Sequence, residues 1–142
     1  MNVIETRRAG SEDISQIWLL LNQFAASYSP DERVFKSTFQ RLIESESVTF
    51  LVIELDGSVL GYLLGFDLLT MFANGTIFSL VELVVDESYR GQGLGKRLVS
   101  DALVQAWARG CVEVVVPTRR AATFYESLGF SKSAEYLKLK RP

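Results

Sequence analysis

The chain has 142 residues, 48% of them apolar and 23% charged, with 15 Lys and Arg against 17 Asp and Glu. That composition, of one domain's length, excludes a disordered, collagen-like or coiled-coil chain, and the net charge of −2, with no basic excess, gives nucleic-acid binding little electrostatic footing. With no histidine and one cysteine, these residues cannot supply a Ser-His-Asp triad, a Cys-His pair, an imidazole ligand, an internal disulfide or a multi-cysteine metal site, so proton transfer falls to Asp, Glu, Tyr, Lys, Cys, backbone or water.

The first ten residues hold no apolar signal stretch, and no apolar run reaches the roughly 18–20 residues of a membrane span. We therefore expect a cytoplasmic protein with no membrane partner and no metal. Asn2–Arg8 predicts a first strand. Gly10-Ser11 offers a helix N-cap, with Glu12 and Asp13 in the first turn, and Ile14, Ile17, Trp18, Leu21, Phe24 and Ala25 recur at helical spacing to about Ala26. Ser29-Pro30-Asp31 starts a second helix, with Val34, Phe35, Phe39, Leu42 and Ile43 on one face. Val48–Leu55, Val59–Phe72 and Thr76–Val85 read as three strands joined at Asp56-Gly57 and Asn74-Gly75, two hairpin-turn pairs.

Gly93–Arg109 is helical, with Leu94, Leu98, Val99, Ala102, Leu103, Ala106 and Trp107 on one face and Gly110 as C-cap. Trp18 and Trp107 are both expected in the core. Val112–Val116 follows as a strand beginning beside Cys111, itself read as a small buried residue. A strand, a helix and a strand in that order favour parallel pairing. Arg119–Leu128 predicts a short helix stopped by Gly129, and Phe130–Lys140 a last strand. The sum is an α+β fold (α/β by looser naming) of residues 1–142, one domain. It has a mixed, mostly antiparallel sheet of about six to seven strands flanked by about four helices.

The segment with chemical content is Val84-Val85-Asp86-Glu87-Ser88-Tyr89-Arg90-Gly91-Gln92-Gly93-Leu94-Gly95-Lys96-Arg97. A strand ends, three alternating glycines let the backbone turn with several amides facing inward, and a helix begins with four unpaired N–H donors. Arg90, Lys96 and Arg97 add charge, so the place suits a phosphate or pyrophosphate. It is not a Walker loop, because Arg97 stands where Ser or Thr is needed, and it is not a dinucleotide fingerprint, because Lys96 stands where the third glycine is needed.

What fits is Arg-x-x-Gly-x-Gly at Arg90, Gly93 and Gly95, joined downstream by Ala121-Ala122-Thr123-Phe124-Tyr125-Glu126-Ser127-Leu128-Gly129-Phe130. The pair resembles the motifs of the GNAT superfamily of acyl-CoA-dependent N-acetyltransferases over roughly Thr76–Phe130; the N-terminal half matches in element order alone. The resemblance implies acetyl transfer from acetyl-CoA to a primary amine by direct attack in a ternary complex. The turn of Arg90, Gly91, Gln92, Gly93, Leu94, Gly95 and Lys96 would wrap the pyrophosphate. Leu83, Val84 and Val85 would pair their backbone with the pantetheine arm, and the thioester would sit where two strands splay apart. Phe124 and Thr118 would also touch the cofactor. Thr118 stands where many members have Asn, and it doubles as a helix N-cap. The family's frequent dimers leave a homodimer open, and the acceptor, small molecule or peptide amine, is not legible.

An aliphatic amine lies about three pK units above neutrality, so freeing it costs about 4 kcal/mol and calls for a carboxylate base; the leaving thiolate calls for an acid. Tyr125, matched by motif, is the expected acid. Glu82, which interrupts the apolar run Phe78–Val85, is the expected base, with a carboxyl raised by desolvation. Glu113 and Asp67 are rivals for that role, as is water. Each residue also has a plainer reading: Tyr125 as a core aromatic, Glu82 as a salt-bridged strand carboxylate, Arg90 and Lys96 as surface charges, and the glycines as a tight turn. Asn22, Phe24 and Tyr28 fall where the family lines its acceptor pocket, with structural roles equally open. A non-catalytic CoA-binding sensor or interaction module on the same fold, or a plain nucleotide-binding domain, are the alternative functions.

Overall fold

The computed structural model describes residues 3–25 and 28–142. The strand read as Asn2–Arg8 is β1, Ile4–Arg8; Asn2, like Ala26 at the end of the first helix, lies outside the described residues. A 3-10 turn at Ser11–Asp13 leads into α1 (Ile14–Phe24), and α2 follows (Glu32–Glu44). Then come β2 (Val48–Leu55), β3 (Ser58–Thr70) and β4 (Gly75–Val85). Another 3-10 turn, Glu87–Tyr89, precedes α3 (Leu94–Ala108), β5 (Glu113–Val115) and α4 (Ala122–Ser127).

The first hairpin signal acts as expected: Asp56 and Gly57 close β2–β3 at φ 50° and 85°, the left-handed pair a two-residue hairpin demands. The second is corrected: β3 ends at Thr70, four residues (71–74) make the loop with Asn74 at φ 61°, and Gly75 already pairs with Thr70 as the first residue of β4. The sheet runs β1-β2-β3-β4-β5, antiparallel throughout except for β4 and β5, which pair in parallel across the α3 crossover. Two cores result. On one face α3 and α4 pack over Leu63, Phe78 and Leu80; on the other α1 and α2 pack over Phe50, Val52 and Tyr62. No helix among the described residues is long and apolar enough to cross a membrane.

Other expectations are also corrected. Phe130–Lys140 forms no strand, so the sheet has five strands among the described residues. Its alternation of side chains is strand-like, but alternation makes a strand only beside an edge that accepts its hydrogen bonds. β5 pairs over only three residues, and Leu137 and Leu139 stay exposed. The last helix is shorter than Arg119–Leu128, because Thr118 to Ala121 form a turn held by the Ala121 amide donating to Thr118 Oγ1 (3.0 Å). Trp107 is 51% exposed: the buried stripe of α3 runs through Leu94, Leu98, Val99, Ala102 and Ala106, and Trp107 sits one residue, about 100° of helix rotation, off it. Trp18 is half-buried and lies outside both cores, packed 5.0 Å from the Phe35 ring at the rim of the α1/α2 one.

Asp13 does more than favour a helix start. Its carboxylate accepts two hydrogen bonds from the Arg7 guanidinium (2.8 Å each) and one from the Gly10 amide (2.7 Å), tying α1 to β1. Burial pushes this carboxyl up, but the Arg7 and Gly10 hydrogen bonds and the Arg7 charge outweigh it and leave it below the ordinary value. A carboxyl lowered on folding stabilises above its unfolded pKa and loses that contribution as pH falls through the folded one. Asp13→Ala is therefore expected to cost about 1–3 kcal/mol at neutral pH, since it removes the buried acceptor of the Arg7 and Gly10 bonds and leaves the Arg7 guanidinium with Glu54 (3.1 Å) as its remaining hydrogen-bonded carboxylate. The deficit should shrink when urea unfolding is repeated below about pH 4. An unchanged urea midpoint at pH 7 would reduce the pair to a surface contact.

Candidate active site

β4 is hydrogen-bonded to β3 along its whole length, from Thr70↔Gly75 to Gly61↔Val85, but to β5 only at Ile77, Phe78 and Ser79. Beyond Ser79 the strands part, and the outer edge of β4 from Leu80 to Val85 faces a gap. At its end the chain enters the glycine turn. Gly91 and Gly93 hold φ of 79° and 83°, and a Cβ at either would meet nothing, so glycine is needed there for backbone conformation rather than for space. Gly93 caps α3, whose first internal bond is the Arg97 amide donating to the Gly93 carbonyl (3.1 Å). The amides of Leu94, Gly95 and Lys96 have no acceptor among the described residues, and Lys96 and Arg97 are exposed beside them. Gly95 lies against Phe124, Val85 and Leu83, so the turn, the free strand edge and α4 meet at one point.

Within β4 the pairing with β3 slips: Leu64 faces Glu82, while the next residue, Gly65, faces Leu80, leaving Val81 as an extra residue. Strand side chains alternate, so one extra residue reverses every side chain after it. Phe78 and Leu80 point to the α3 core, and without the bulge Glu82 would follow them. With it, Leu83 and Val85 take the α3 side, while Glu82 and the buried Val84 turn to the α1/α2 side. There Glu82 lies in a cavity of about 370 Å³ between α1, α2 and the sheet, and Tyr62 Oη donates to Glu82 Oε1 at 2.7 Å. Burial raises the Glu82 carboxyl above its usual value, and the Tyr62 bond draws it part of the way back. Tyr62 is 2% exposed. Burial first, then the Glu82 charge and hydrogen bond, lift its phenol far above the usual range, so it stays a donor.

A model of the acetyltransferase (GNAT) family matches residues 14–130. The chain belongs to the GNAT acetyltransferase family. A glucosamine 6-phosphate N-acetyltransferase of Oryza sativa subsp. japonica is 30% identical over 125 residues, 83% of this chain and 75% of that protein. One of Trypanosoma brucei brucei is 39% identical over 59 residues, 41% of this chain and 40% of that protein. Thus the matched part spans well under two thirds of the trypanosome relative. Among solved structures, a Bacillus halodurans protein described as a transcriptional regulator superposes with a TM-score of 0.88 at 23% identity, covering 98% of this chain and all of that one. The aminoglycoside N-acetyltransferase AAC(6′)-Iy, solved in complex with CoA, superposes at 0.84 with 14% identity, covering 99% and 96%. These last two establish the fold. As a GNAT member this chain is an acetyltransferase.

The other expected residues are distributed around the β4–β5 gap. Tyr125 is buried on the α3 side, its ring 5.0 Å from Phe124 and 5.6 Å from Phe130, and its hydroxyl has no hydrogen-bond partner among the described residues. Burial lifts its pKa to about 12. It lines a second cavity, of about 560 Å³, with Ser79 and Val114–Thr118. The structure thus brings Glu82 and Tyr125 to opposite faces of the sheet rather than side by side. Arg90 folds back, its Nε donating to the Val85 carbonyl (3.2 Å), while Gln92 is exposed on the turn. Thr118 is not the N-cap it was expected to be: Ala121 holds that position, and Thr118 Oγ1 accepts the Ala121 amide in the turn before it.

Of the rival carboxylates, Glu113 is exposed on β5. Asp67 accepts from Arg109 Nε and Nη2 (2.8 Å each) and from Cys111 Sγ (3.7 Å), which binds the end of α3 to β3. Asn22 donates back to the Trp18 carbonyl (2.7 Å), whereas Phe24 and Tyr28 line the Glu82 cavity. Tyr62 is the residue the sequence reading missed; a tyrosine inside an apolar strand carries no local sign of the carboxylate it will face.

Proposed function

We propose that residues 1–142, as one acetyltransferase domain, transfer the acetyl group of acetyl-CoA directly to a primary amine, with Glu82 as base and Tyr125 as the donor to sulfur. The observation that carries this reading is the Val81 bulge, which turns the one desolvated, phenol-bonded carboxylate of β4 into a cavity beside the strand's free edge. The residues suit the coenzyme. The unpaired edge at Leu83–Val85 supplies main-chain partners for an amide-bearing arm. The free amides at the start of α3, with Arg90, Gln92 and Lys96, supply donors for a diphosphate, as a helix N-terminus does. Phe124 borders the same meeting point, and Thr118 lines the cavity that holds Tyr125.

Glu82 accepts, directly or through water, the proton that an ammonium must lose before its nitrogen attacks the thioester carbon. As the C–S bond breaks, Tyr125 donates to the sulfur, and the second nitrogen proton replaces the one it gives. One proton leaves to solvent per turnover. A covalent acyl-enzyme finds no support: the one thiol, Cys111, is buried, raised by burial and set against Asp67.

Calorimetry with acetyl-CoA and amine-dependent release of free thiol test the proposal. No binding at millimolar acetyl-CoA would end it, and binding without thiol release across an amine panel would favour a sensor. Gly93→Ala is expected to weaken acetyl-CoA binding about fivefold or more, because a side chain at φ 83° costs roughly 1–2 kcal/mol and moves the α3 amides. Unchanged affinity would remove those amides from the site.

A further inference from the structure

The Glu82 cavity has a composition that narrows the acceptor, an inference that rests on the acetyl-transfer reading above. Its walls are aromatic and aliphatic. A chain of rings runs from Trp18 through Phe35, Phe39 and Phe50 to Tyr62, with successive centroids 5.0 to 6.0 Å apart, and ends on the Glu82 carboxylate. Among the described residues lining it there is no lysine or arginine; its charged side chains are Glu82 and Asp31, both acidic. The feature that would welcome an anion, the N-terminus of α2, is already answered from within. Asp31 Oδ1 accepts from the amides of Arg33 (2.9 Å) and Val34 (3.1 Å). Ala26 and Ser27, outside the described residues, carry no charge.

A phosphate needs a guanidinium, an ammonium or free amides, and here it would meet two carboxylates instead. A polyhydroxylated body would strand its hydroxyls against phenylalanines. We propose that the acceptor is a primary amine on an apolar, preferably aromatic, body without phosphate. Its ammonium is drawn to Glu82, and its ring lies among Phe24, Phe35 and Phe50, where aromatic faces also attract the cation. This sets the chain apart from its relatives named for glucosamine 6-phosphate.

The test uses the full chain and two probes, 2-phenylethylamine and glucosamine 6-phosphate. Thiol release should give 2-phenylethylamine a kcat/KM about 100-fold higher or more. Calorimetry with each probe, alone and with saturating CoA, reads the cavity without turnover. The variant V34K places a cation at the exposed wall of the cavity, where Val34 is 62% exposed and folding is not at stake. It should weaken 2-phenylethylammonium about tenfold and leave the acetyl-CoA affinity unchanged. If the amine binds and V34K weakens it but no thiol is released, the cavity assignment stands and acetyl transfer fails. If glucosamine 6-phosphate binds or reacts better, if 2-phenylethylamine binds in neither condition, or if V34K leaves it unaffected, the assignment is overturned while acetyl transfer to some other amine stands.

Discussion

Glu82→Gln is expected to lower kcat by about 10²–10⁴-fold, the usual worth of a general base, while leaving acetyl-CoA affinity within a few fold. Glutamine keeps the shape and still offers Tyr62 an oxygen to donate to, so the loss isolates the proton acceptor. Stability should move the other way. A carboxyl raised on folding contributes stability below its unfolded pKa and loses it as pH rises through the folded value. At neutral pH the wild-type carboxylate is thus a burden that glutamine lifts, and the variant should unfold at equal or higher urea. The wild-type pH profile should show an acidic limb displaced upward from an ordinary carboxylate, and the variant should lack it. Residual activity within threefold of wild type, with the limb intact, would move the base to water or Glu113.

Tyr62→Phe separates positioning from catalysis at the same carboxylate. The Tyr62 hydroxyl is what draws the Glu82 carboxyl down against burial. Without it the acidic limb should move to still higher pH, while kcat on the plateau stays within about tenfold. A fall in plateau rate with no movement of the limb would mean that Tyr62 serves only the packing of the Phe50 wall.

Why Glu82 was legible and its surroundings were not follows from what each depends on. A glutamate interrupting an apolar run before a glycine turn is a local fact, as are the Asp56-Gly57 turn and the capping Asp31, and these survive from sequence to structure. The Val81 bulge is a pairing event between β3 and β4. No residue near it announces that two residues will oppose one, yet it alone decides which face Glu82 looks at. The aromatic chain from Trp18 to Tyr62 joins α1, α2, β2 and β3, so each member reads locally as ordinary core. Trp107 and the C-terminal segment fail for the converse reason. Their patterns are compatible with burial, but Trp107 falls beside the Ala102–Ala106 stripe that the sheet covers, and the last segment would need a longer edge on β5 than its three paired residues offer.

Tyr125→Phe should lower kcat by about 10–100-fold with acetyl-CoA affinity nearly unchanged, because phenylalanine keeps the ring between Phe124 and Phe130 and removes only the hydroxyl. The raised phenol constrains how that hydroxyl works. At a pKa of about 12 it is protonated throughout the neutral range, so it is always ready to donate. It is also a weak acid: handing its proton outright to a thiolate of ordinary pKa near 8.5 would cost about 5 kcal/mol. The larger contribution is then a hydrogen bond that strengthens as charge gathers on sulfur, with full transfer only as the nitrogen's proton arrives to replace it. The basic side of the kcat profile distinguishes this from conventional acid catalysis. With Tyr125 as the donor, kcat should hold flat to at least pH 10, and a decline centred near pH 9 would assign the sulfur's proton to another group. A large loss of acetyl-CoA binding in the phenylalanine variant would instead make Tyr125 part of the cofactor's seat.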